Sequence, residues 1–118
     1  MLDLRLYLAQ RLSALVMAPF ILGHIAVMIY AVQGGLSGAE ILGRTAGSPI
    51  WFAFYGLLAL ATAVHAAIGL RVIAHEWLGL KGVALPILMW GSMTFLALAG
   101  LRAVWAVTYG VGAYGVGA

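Results

Sequence analysis

Predominantly apolar residues fill three long windows of this chain, about Leu12 to Val32, Ile50 to Ala74 and Val83 to Thr108. Each is long enough to cross a bilayer as a helix, for which about 20 residues suffice. The pattern predicts an all-α integral membrane fold, a three-transmembrane-helix bundle with helices over about residues 10–32, 50–75 and 84–108, forming one domain across residues 1–118. Before the first window, MLDLRLYLAQRLSA alternates apolar and polar positions and turns apolar at Ala14, as expected of a helix that starts in the headgroup layer. Pro19 interrupts that helix's hydrogen-bond ladder, which bends it or leaves a carbonyl free.

The connections are readable from their caps. Gln33 to Pro49 is a glycine-rich loop in which Ser37 and Glu40 have the spacing of a capping box, predicting a short interfacial helix that ends at Gly43. Glu40 and Arg44 are spaced to pair across one turn. Ser48 and Pro49 form a cap and first-turn proline for the second span, and Trp51, Phe52, Phe54 and Tyr55 behind them read as an interfacial aromatic belt. The short linker LGLKGVALP makes the second and third spans antiparallel neighbours. The tail GVGAYGVGA has no periodicity and is expected to be loose.

Composition narrows the chemistry. Of 118 residues 65% are hydrophobic and 8% charged, outside the range of soluble domains. No charged segment followed by a short apolar core and a small-residue cleavage site opens the chain, so the first helix is expected to be retained. The absence of cysteine excludes disulfides, thiolate-held iron–sulfur clusters and thioether-linked haem, leaving histidine to hold any metal. Six basic residues give a net charge of +3 but form no patch, so no nucleic acid is expected as a partner. Arg5 and Arg11 precede the first span and Arg71 and Lys81 flank the second linker. The positive-inside rule then puts the N-terminus and the second linker in the cytoplasm and the C-terminus outside, and the expected location is a bacterial-type inner (cytoplasmic) membrane, in contact with membrane lipid.

Two histidines lie inside the spans. His65, Gly69, Val72 and Glu76 share one helical stripe. His65 is the prime candidate for a haem-iron ligand, since neutral imidazole binds iron well and Gly69 removes a side chain where a flat ligand would lie. Ser13 and His24 repeat the spacing of His65 and Glu76. Counting inward from Ser13 and Glu76 as matched surface residues puts both imidazoles about 16 Å deep, at the same level, with His24 the second candidate ligand. His75, off the stripe and at the boundary, is expected to be solvated. Arg71 and Arg11 are candidates for haem propionates. Ser13, Arg11, Glu76 and Trp77 gather at the cytoplasmic end in this topology, as the rim of a quinone pocket needing hydrogen-bond donors and a proton source.

These residues resemble the cytochrome b membrane-anchor subunits of succinate dehydrogenase and fumarate reductase. HAAIGLRVIAHE matches that family's haem-ligand histidine, the glycine four residues on and the acid near the helix end at His65, Gly69 and Glu76. QRLSA, Gln10 to Ala14, is similar to the segment opening its first helix near the quinone. Gly23 with His24 is similar to the first-helix ligand of two-haem anchors. Where the family has aspartate then tyrosine, this chain has Glu76 then Trp77, and an indole only donates. The resemblance implies a haem b- and quinone-binding anchor, with ubiquinone or menaquinone as substrate. It implies docking to flavoprotein and iron–sulfur subunits, with a second small membrane subunit or another copy of this chain alongside. The subunit itself would carry no dehydrogenase site, consistent with the lack of cysteine and of a nucleotide-binding loop.

Two other readings compete. A haem-free structural anchor would use its histidines only to bond neighbouring helices. A small transporter subunit would be expected to carry a mid-membrane carboxylate, and no Asp or Glu falls within the three windows.

Overall fold

The computed structural model describes residues 3–110, so the expected loose tail beyond Gly110 lies outside the described residues. Four helices follow in order: α1 Leu4–Gly34, α2 Gly38–Thr45, α3 Pro49–Leu78 and α4 Ala84–Thr108. The fold is all-α, and α1, α3 and α4 are long and apolar enough to span a membrane. α1 starts about two turns before the expected boundary because the Asp3 carboxylate caps it, accepting from the Leu6 amide at 2.9 Å. It runs unbroken through Pro19.

α2 and α3 begin at the expected caps. The Ser37 hydroxyl accepts from the Glu40 amide and the Ser48 hydroxyl from the Trp51 amide, with Pro49 in the first turn. α2 runs to Thr45, past the expected stop at Gly43. Glu40 and Arg44 do not form the anticipated pair: the Glu40 carboxylate lies against Gly34, and the Arg44 guanidinium stacks over the Tyr30 ring at 5.2 Å. α3 ends at Gly79, whose left-handed backbone (φ 67°) lets the chain turn while its N–H returns to the Ala74 carbonyl.

α3 is the centre of the arrangement. It packs against α1 on one side and α4 on the other, while α1 and α4 barely touch. Ala67, Ile68 and Met89 form the enclosed core, with Leu6, Ala9, Val64 and Met93 packed around them. Near the other end α3 and α4 approach closely at Ala59 and Gly100, where a Cβ on the glycine would lie 3.0 Å from that of Ala59. The turn before α3 is tied to the end of α4: the Thr45 hydroxyl donates to Val107 O at 2.7 Å, and Gly47 N–H donates to Thr108 O at 2.7 Å.

Only 6% of the most apolar window of α1 is buried. In water that would be untenable; in a bilayer it leaves the helix facing lipid tails or other subunits. α1 and α3, with 31 and 30 residues, are each about 45 Å long, against about 30 Å of hydrocarbon.

Candidate functional site

The register between α1 and α3 sets every distance in the site. Ser13 meets His65, Gln10 meets Gly69, Phe20 stacks on Phe54 and His24 meets Tyr55, as antiparallel neighbours must. His65 is half-buried against α1. Its Nδ1 lies 3.3 Å from the Gln10 carbonyl oxygen and 3.3 Å from Ser13 Oγ. A carbonyl can only accept, so the tautomer that satisfies both contacts is the one with the proton on Nδ1. The Ser13 hydroxyl donates to the same carbonyl at 2.9 Å. In that tautomer the His65 Nε2 keeps a lone pair, the form in which imidazole ligates a metal.

Two polar atoms of the same end are buried without a hydrogen-bond partner: Gln10 Oε1 and Arg71 Nε. Buried polar groups are normally paired, so this end of the bundle has spare capacity for an acceptor at the guanidinium and a donor at the amide. Arg11 is exposed and lies over the Tyr7 ring at 5.6 Å.

Three expectations change. Gly69 does not face an open slot, because the Gln10 side chain borders it, with Nε2 in van der Waals contact range, 3.5 Å from where a Cβ would sit. The two intramembrane histidines are not at one depth. His65 is level with Ser13, while the His24 ring packs edge-on to Tyr55, 5.9 Å between centroids, so the rings are about three turns, or ~16 Å, apart along α1. An iron bonded to both from one chain is incompatible with this packing. Nor do Ser13, Arg11, Glu76 and Trp77 form one rim: Ser13 is buried beside His65, whereas Glu76 and Trp77 are exposed three turns further along α3. The last two corrections have one source, the assumption that Ser13 and Glu76 mark the same surface.

Sequence reasoning passed over Gln10, whose carbonyl and side chain both bear on the site; its proximity to His65 emerges only once the interhelical register is known. It also left His75 to solvent, yet His75 Nδ1 bonds the Leu80 carbonyl at 2.9 Å and so closes the turn after α3. Among the described residues no group of three or more His, Asp or Glu side chains is placed to hold a metal ion.

Comparison with known families gives one finding of wide coverage. A family model described as succinate dehydrogenase/fumarate reductase transmembrane subunit matches residues 2–110. No individual curated protein and no solved structure matches the chain.

Proposed function

The chain belongs to the family of succinate dehydrogenase/fumarate reductase transmembrane subunits, and we propose that it binds haem b and quinone as the anchor of such a complex. In this reading it joins an iron–sulfur subunit to ubiquinone or menaquinone in the membrane. The observation that carries the proposal is the tethered imidazole of His65, with Nδ1 occupied by Gln10 O and Ser13 Oγ and Nε2 left for iron. A b-type haem bound there supplies a one-electron relay. His65 would hold such a group through Nε2, and a second imidazole would have to be supplied by a partner chain, a second small subunit or another copy, because His24 lies about three turns away.

The chain's own residues have distinct tasks. Arg71, with Nε enclosed and unpartnered, is the proposed cation for a propionate carboxylate. Arg11, exposed at the level of His65, is the proposed donor to a quinone carbonyl or a second propionate, with Ser13 orienting the ring behind it. Glu76 and Trp77, exposed toward the end that carries the N-terminus, belong to the surface that receives the iron–sulfur and flavoprotein subunits and supply protons and an N–H donor at that boundary. With basic residues concentrated there, this end is the cytoplasmic one and the membrane a bacterial-type inner membrane.

The test is purification of the tagged chain from membranes in mild detergent. The reading expects flavoprotein, iron–sulfur protein and haem b to copurify with succinate:quinone or quinol:fumarate activity. Isolation of an assembled complex without haem would favour a haem-free anchor, a reading supported by the bridge His65 already makes between α1 and α3.

A further inference from the structure

A second feature lies at the opposite end from His65. α1, α3 and α4 splay around a cleft of about 610 Å³, roofed by α2, within the ~300–1,000 Å³ range of small-molecule sites. Its walls are aliphatic, including Ala31, Leu58 and Val104, and its polar groups are His24, Arg44, Thr45 and Tyr55. We propose that this cleft binds an anionic phospholipid, with the phosphate held by Arg44 and an acyl chain lying between α1 and α4.

Charge complementarity selects that occupant. Arg44 is the cation lining the cleft, and Glu40, one turn earlier and the acid nearest in sequence, is turned away against Gly34. The guanidinium is steadied over Tyr30 instead. An uncompensated, pre-oriented fork of N–H donors in the headgroup layer suits a phosphate better than any neutral head. Thr45 is not available, since its hydroxyl is committed to Ile41 O and Val107 O. About 9 Å below the start of α3, at the Tyr55 level, the Tyr55 hydroxyl and the His24 ring form no hydrogen bond among the described residues, although both line the cleft. That is one tier below the phosphate, where the ester carbonyls of a glycerolipid accept hydrogen bonds. The aliphatic walls beyond offer a chain contact surface and no polar anchor for a second headgroup. Because α1 and α4 barely touch, a lipid chain there supplies the packing that the protein does not.

The experiment is quantification, by native mass spectrometry and lipid extraction, of phospholipid retained by the detergent-purified complex. Wild type is expected to retain phosphatidylglycerol enriched over phosphatidylethanolamine relative to the source membrane. Arg44→Gln should lower that enrichment about tenfold, the effect of losing ~1.4 kcal/mol, and Arg44→Lys should restore part of it. Should Arg44→Gln not assemble, Val107→Trp, which fills the cleft from α4, must also reduce the retained lipid. Unchanged enrichment in Arg44→Gln or in Val107→Trp overturns the proposal. So does loss of haem or quinone in place of phospholipid from Arg44→Gln and His24→Ala complexes, which would make the cleft a cofactor pocket.

Discussion

Nδ1 of His65 in α3 lies 3.3 Å from the main-chain carbonyl oxygen of Gln10 in α1. A main-chain acceptor cannot be removed by substituting its side chain, so this contact is protected against most mutations of α1. Ser13→Ala removes the second acceptor and leaves the first. The expected outcome is retained haem with a stability loss of about 0.5–1.5 kcal/mol, read from thermal loss of haem absorbance in detergent. Complete loss of haem in that variant would mean that the hydroxyl, and not the carbonyl, sets the ring.

His24 faces Tyr55 and the cleft beneath α2, about three turns from His65. His24→Ala should therefore leave the haem bound at His65 unaltered in content and α-band position. A loss of half or more of the haem per chain would show either a second iron at His24 or a register between α1 and α3 different from the one described.

Gly100 is a close contact between α3 and α4, with a Cβ there 3.0 Å from the Ala59 Cβ. Gly100→Leu must push the helices apart or force a strained rotamer, at a cost of about 1–3 kcal/mol. Thermal denaturation of the purified complex measures this; Gly91→Leu, at a glycine with open space around it, is the matched control and should change little.

Thr45→Val deletes the hydroxyl that ties α2 to the end of α4 through Val107 O and costs about 1 kcal/mol. The local signature is faster hydrogen exchange at the Gly47 amide, which bonds Thr108 O. Exchange unchanged at Gly47 would show that the turn is held by other contacts.

The contrast between what could and could not be read from the sequence follows from the solvent. Caps and chain breaks are local, so Ser37, Ser48 with Pro49, and the three apolar windows foretold α2, α3 and the spans. Register between helices is not local. α1 is apolar nearly all round, and in lipid no one face is marked for burial. Counting depth inward from Ser13 and Glu76 failed because α1 and α3 outrun the hydrocarbon by about 15 Å, so polar residues near their ends need not share a plane. His65 was legible as a site because an ionisable ring inside a span needs a partner. Its partner, Gln10, was not, since a main-chain carbonyl leaves no mark in a sequence.

The central claim is that His65 holds iron through Nε2. It is tested most directly by the dithionite-reduced minus oxidised spectrum of the purified His65→Ala complex, with flavin content as the measure of assembly. The account predicts flavin retained and the b-type α-band lost or strongly reduced; an α-band of wild-type height and position would contradict it.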